Sequence, residues 1–212
     1  MDVGTSLVQA YLHVNGYFTA ADYPLVETGR DQTPRTLTDI DLLAVRFGRA
    51  DNHPDRSRRR HPKVTGPVSI DVDPALGASP ERTDMIVAEV KQGRAQVNPG
   101  ARNRQALAAA IARFGCCAPH EATGMVKTLL QHGRAQGVDD HMVRMVLFAS
   151  SGERAPRGWH WVHLDHVFRF LDDYLRREQT RLGHVDLHDP ALAWLALLHK
   201  CQLALMDERT PT

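Results

Sequence analysis

The chain has 212 residues, of which 42% are hydrophobic, and its 26 Lys and Arg against 25 Asp and Glu give a formal net charge of +1. This length and composition suit one globular domain with a full core, and the near-zero net charge excludes a polybasic or polyacidic chain whose partner could be read from global charge. No apolar run is long enough to span a bilayer, the start Met1-Asp2-Val3-Gly4 lacks the basic and apolar parts of a signal peptide, and three cysteines, two of them adjacent at Cys116 and Cys117, make no disulfide framework. The expectation is a cytoplasmic protein with free thiols and no membrane partner.

In chain order, Leu7, Val8, Tyr11 and Leu12 recur at helical spacing and predict a first helix over 5–15, capped by Thr5 or Ser6 and followed by Gly16. A strand starts at Tyr17 and is interrupted by Pro24. Residues 29–34 read as a loop, and 37–47 as a second strand that opens on acids, Asp39-Ile40-Asp41-Leu42-Leu43-Ala44-Val45. Residues 48–80 are rich in proline, glycine and arginine and read as a long surface excursion, with a short strand at 68–72. An apolar strand over 85–91 follows, Met85-Ile86-Val87-Ala88-Glu89-Val90-Lys91. Helices are expected over 102–114 and 121–136, strands over 143–148 and 159–164, a strong helix over 165–179 capped by Asp165, and a last helix opened by Asp189-Pro190. The order gives a single α/β domain over 1–212, with a mixed central sheet flanked by helices. Its core is expected at 4–164, with the basic insertion at 48–80 and additional C-terminal helices in a helical part at 165–212.

The chemistry concentrates in the strand at 85–91. Side chains alternate along a strand, so Val87, Glu89 and Lys91 share one face, and a carboxylate and an ammonium at the end of an apolar strand are costly to bury unless paired or bound. Asp41 ends up on a neighbouring strand. Cutting a phosphodiester needs an activated water and relief of the charge growing on phosphate oxygens, and Mg²⁺ does both when hard oxygen ligands hold it. Asp41, Glu89 and the Val90 carbonyl are the candidate metal ligands. Lys91 is the candidate base or phosphate-neutralising group.

Three pieces of the chain resemble the PD-(D/E)xK nuclease superfamily, within it most closely the small Holliday-junction-resolvase-like and type IV restriction-like proteins. They are the first helix with its Gly16-Tyr17 exit, Asp39-Ile40-Asp41-Leu42-Leu43-Ala44, and Val87-Ala88-Glu89-Val90-Lys91, together spanning about residues 4–92. The resemblance implies a restriction-endonuclease-like core with Asp41, Glu89 and Lys91 at the catalytic positions. It also implies Mg²⁺ as cofactor with Mn²⁺ as substitute, and nucleic acid, DNA first, as substrate. Relatives often carry a glutamate early in the first helix; by spacing from Gly16 that position is Thr5, with Gln9 a turn further on. Asp39, Gln9 and Gln92 are therefore candidate supporting residues. Arg56, Arg58, Arg59, Arg60 and Lys63, between the two acid-bearing strands, are candidate phosphate contacts. A homodimer that cuts both strands is a further expectation, and a catalytically inactive nuclease-fold module that binds nucleic acid or a protein is the alternative. The histidines at 160, 163 and 166 have no matching cysteine or carboxylate pattern for zinc, and Trp159, Trp161, Phe168 and Phe170 read as core, with base stacking open to an exposed one.

Overall fold

The computed structural model describes residues 2–28, 33–48, 72–115, 117–137, 140–182 and 187–201. Among them the chain is an α/β protein built on a six-stranded mixed sheet. The first helix, α1 (Val3–Val14), begins earlier than its apolar spacing alone suggests, because Asp2 is the cap: its carboxylate accepts the Thr5 N–H at 2.7 Å. Gly16, at φ +82°, turns the chain out of the helix, a backbone conformation that costs glycine nothing. Strand β1 (Phe18–Thr28) runs straight through Pro24, which pairs with Asp39 of β2 (Pro34–Arg46). Proline is tolerated there because, among the described residues, β1 is an edge strand.

The excursion between 48 and 80 is described only at its ends. The expected strand at 68–72 lies outside the described residues except for Val72, and a 3₁₀ turn, Pro74–Leu76, leads toward β3 (Asp84–Arg94). A second 3₁₀ turn, Pro99–Arg102, precedes α2 (Arg104–Phe114), whose cap is Asn103, accepting from the Gln105 and Ala106 N–H groups. Helix α3 (Pro119–His132) is shorter than its periodicity predicts. Gly133, at φ +73°, ends it, and a Cβ there would come within 2.6 Å of the Gly158 carbonyl oxygen. The next three residues form a short strand instead, β4 (Arg134–Gln136). Strands β5 (Met142–Ser151) and β6 (His160–His163) follow. The chain then forms α4 (Leu164–Arg177), a short α5 (Gln179–Leu182), and α6 (Pro190–Lys200) capped by Asp189. Asp165 stands in the first turn of α4 and His163 at its cap, two residues before the expected position.

The strand order is β1-β2-β3-β5, and β5 carries both β4 and β6 on its far side. Strands β1, β2 and β3 are antiparallel in turn, β3 and β5 are parallel, β4 runs antiparallel to β5, and β6 runs parallel to it. The crossover from β3 to its parallel neighbour β5 carries α2 and α3, as parallel pairing requires. Two cores result. On one face α1, α4 and Leu195 of α6 cover Leu42, Ala44, Ile86, Ala88, Val146 and Phe148. On the other, α2 and α3 cover Leu43, Met85, Val87, Met145, Leu147 and Ala149. This explains why β5 is buried without a break from Val143 to Ala149: helices lie on both its faces. No described helix is long and apolar enough to cross a membrane.

Candidate active site

The β1–β2 ribbon changes faces at one point. Leu42 and its partner Ala21 pack toward α1, whereas the next same-parity pair, Ile40 and Tyr23, packs toward α2 and α3. Strict alternation would keep all four on one face, so the strands turn over between them. Asp22 lies at the turnover with φ +48°, in the left-handed region that non-glycine residues visit mainly as Asn and Asp. By the same register its neighbour on β2 is Asp41. Asp41 therefore belongs cleanly to neither helix-covered face, which regular alternation could not have foretold.

The same point is where β2 and β3 part. Their ladder runs from Arg46 opposite Asp84 to Leu42 opposite Ala88 and stops. One further step would set Asp41 opposite Glu89. Instead of a backbone rung, the Val90 N–H donates to Asp41 Oδ2 at 2.7 Å. On its other side β3 stays paired with β5 through Lys91 opposite Ala149, so among the described strands only β5 pairs with the end of β3, whose other edge faces Asp41.

Glu89 points inward and is 2% exposed. Its Oε1 lies 2.7 Å from Lys91 Nζ and accepts the Asn98 N–H at 3.4 Å. The Lys91 side chain keeps 25% of its surface in solvent. Burial pushes the Glu89 carboxyl above the usual range, and the nearby Asp41 charge adds to this against the help of Lys91 and the Asn98 N–H. Burial likewise raises Asp41, and Asp2 and Asp22 reinforce it while the Val90 N–H and Lys91 oppose it. Burial is the largest cause at both carboxyls, and repulsion among the acids adds to it, a feature common at functional sites.

Asp2 was not foreseen at this site. The sequence placed the helix cap at Thr5 or Ser6; with Asp2 as cap, the start of α1 comes against the end of β3. A Cβ on Gly4 would come within 2.9 Å of Gln92 Cγ, and the Gln92 side chain is among the groups that favour the Asp2 charge. Burial works against the Asp2 charge, but the bonds from Thr5, Gln92 and the Gly4 N–H outweigh it and hold the carboxyl below its usual value. The signal available was the Asp-x-x-Thr spacing of a cap at Asp2, read one turn too late. Thr5 itself is buried at 3% exposure.

The other predicted residues fall as follows. Asp39 lies in β2 opposite Pro24. The Gln9 side-chain amide donates to Thr19 Oγ1 on β1 at 2.9 Å. Arg56, Arg58, Arg59, Arg60 and Lys63 lie outside the described residues. Among the described residues no group of three or more His, Cys, Asp or Glu side chains is placed to hold a metal ion. What stands at the parting of β2 and β3 is two carboxylates, an ammonium and the backbone oxygens of β3. Two carboxylates completed by water and substrate oxygens are a donor set that suits Mg²⁺.

Two further polar clusters hold the fold. Asp73 accepts from the Tyr11 hydroxyl at 2.7 Å, the Ala75 N–H at 2.9 Å and His166 Nε2 at 2.6 Å. At the starts of β3 and β5, Arg144 grips Asp84 with two bonds of 2.7 Å, and the Tyr17 hydroxyl donates to the same carboxylate at 2.6 Å. An open cleft of about 360 Å³ lies at this second end of the sheet, lined by Arg134, Arg144, His132 and His160. It is away from Asp41 and Glu89; Glu89 instead borders a small cavity lined by Ile40, Val87, Ala101, Leu107 and Trp159. No family model, curated protein or solved structure matches this chain.

Proposed function

We propose that this chain is a metal-dependent nuclease of the PD-(D/E)xK kind, with a restriction-endonuclease-like core, hydrolysing phosphodiester bonds in nucleic acid, DNA first. The observation that carries the reading is the meeting of Asp41 with the Glu89–Lys91 pair at the one place where β2 and β3 separate. A bound Mg²⁺, or Mn²⁺ in its place, would activate a water and offset charge on the phosphate oxygens. Asp41, Glu89 and the Val90 carbonyl are the residues to hold it. Their fit rests on the donor set, two carboxylates and a backbone carbonyl, all hard oxygens, at the point where β2 and β3 separate. The Val90 N–H fixes Asp41 at Oδ2 and leaves Oδ1 for other partners. Lys91, anchored on Glu89 Oε1 yet a quarter exposed, brings a proton and a positive charge to the open side, where a phosphate would approach.

The test is cleavage of plasmid and branched DNA with Mg²⁺ or Mn²⁺. Lys91→Ala lowers the rate by at least about 100-fold, the usual scale for a general acid or base. Unchanged cutting by that variant rejects the assignment. The second reading, a nuclease-fold module that binds without cutting, is favoured by the buried Thr5 where relatives carry a glutamate. Calorimetric binding of Mg²⁺ together with turnover dismisses it.

A further inference from the structure

We infer that Trp161 and His163 form a stacking platform for an unpaired nucleotide beside Lys91, so that the preferred substrate carries a single-stranded segment rather than being continuous duplex. The inference extends the nuclease reading by naming what lies next to its reacting groups. Strands β3, β5 and β6 are parallel neighbours, so their C-terminal ends open at one edge of the sheet. Lys91, Ala149 and His163 are in register in one row, and Glu89, Leu147 and Trp161 in the row beneath. Leu147, Ala149 and Trp161 pack toward α2 and α3, which places Glu89, Lys91, Trp161 and His163 on that same face. Two strand spacings separate Lys91 from His163, about 10 Å, with Ala149 between them buried beneath this face.

The pair is built to be rigid. The Trp161 indole N–H donates to the Ala149 carbonyl at 3.3 Å. Its far rim is met by Gly152 and Ala95, both small: a Cβ on Gly152 would come within 2.9 Å of the ring and 2.8 Å of the Ala95 methyl. The His163 ring stacks on Trp161 with centroids 4.0 Å apart and planes at 25°. Packing accounts for Trp161. It does not account for His163, whose side chain is 50% exposed and makes no cap bond to α4 although it occupies the cap position. The Asp165 carboxylate, 3.9 Å from His163 Nδ1, would repel a phosphate but leaves the uncharged face of a base unopposed. A ring fixed from behind is the kind of surface on which any base stacks once it has left its own helix.

The experiment is fluorescence anisotropy with a labelled oligothymidylate of about 15 nucleotides and with a duplex of the same length, in EDTA so that no cutting contributes. Wild type binds the single strand more tightly than the duplex. His163→Ala weakens single-strand binding about tenfold, as the loss of one base–aromatic stack does. His163→Phe, which keeps a ring, stays within about twofold of wild type, and the thermal midpoints of both variants show that they fold. Single-strand binding unchanged in His163→Ala overturns the platform, as does an equal loss in both variants or a wild-type preference for duplex. A wild type that binds in this way but never cuts sinks the nuclease reading and leaves the platform standing; one that cuts normally while His163→Ala binds unchanged sinks the platform alone.

Discussion

Asp41 and Glu89 are charged where burial favours the neutral acid. Their folded-state carboxyls are raised above the usual range, so between that range and the raised values the folded chain binds more protons than the unfolded one. Stability therefore falls as pH rises through that window, and the cost remains at neutral pH. Asp41→Asn keeps an oxygen for the Val90 N–H and removes the charge. It raises the thermal midpoint at neutral pH without metal, with about 2–4 °C expected for each ~1 kcal/mol relieved at this chain length. If the two carboxyls hold a cation, Mg²⁺ or Mn²⁺ raises the wild-type midpoint and leaves that of Asp41→Asn combined with Glu89→Gln unmoved. Differential scanning calorimetry reads both effects, and equal metal shifts in the two proteins would remove these residues as ligands.

The β1–β2 ribbon owes its change of face to the backbone at Asp22. A β-branched side chain does not tolerate φ +48°, so Asp22→Val costs about 1–2 kcal/mol more than Asp22→Gly does. Urea midpoints distinguish them, and equal midpoints would mean the ribbon turns over for another reason. The turn at Pro74–Leu76 is pinned to α1 and α4 through Asp73. Burial works against the Asp73 charge, but the bonds from Tyr11, His166 and the Ala75 N–H prevail and lower its carboxyl. A depressed carboxylate contributes stability above its unfolded value and loses it as pH falls through the folded value. Asp73→Asn should cost about 1–3 kcal/mol at neutral pH and flatten the acid limb of the stability curve, measured as denaturant midpoints between about pH 7 and pH 3.

At the scale of the molecule, the two ends of the sheet do different work. At one end Asp84 and Arg144 are buried, at 2% and 8% side-chain exposure, and tie the start of β3 to that of β5. Asp84→Ala leaves the guanidinium without its partner and should cost about 3–5 kcal/mol in chemical unfolding. A loss below ~1 kcal/mol would show that the Leu76 carbonyl, which also accepts from Arg144, is sufficient. At the other end the ladder between β2 and β3 stops at Leu42 and Ala88, and the Val90 N–H goes to the Asp41 carboxylate instead.

Most of the order of helices and strands was legible from apolar spacing, because each stripe must match the period of the element that buries it, although β4 falls where the spacing predicts the end of a helix and the caps of α1 and α4 lie before the expected residues. So was the doubly covered strand around 143–148, and the Glu89–Lys91 pair, because alternation within one strand fixes which side chains share a face. Other features needed the tertiary structure. The extension of β1 through Pro24 follows from its edge position, and the end of α3 from the close approach of Gly133 to Gly158. The Asp2 cap at the site follows from the docking of α1 on β3. Asp41 was named from sequence as a partner of Glu89, but its placement depends on a face change at a left-handed Asp22 and on a ladder that stops one pair early. His163 reaches the row of Lys91, and Trp161 that of Glu89, only because β6 pairs in parallel with β5. Sequence periodicity constrains residues along one element; which elements meet, in what register, and where their pairing ends is set by packing between distant parts of the chain.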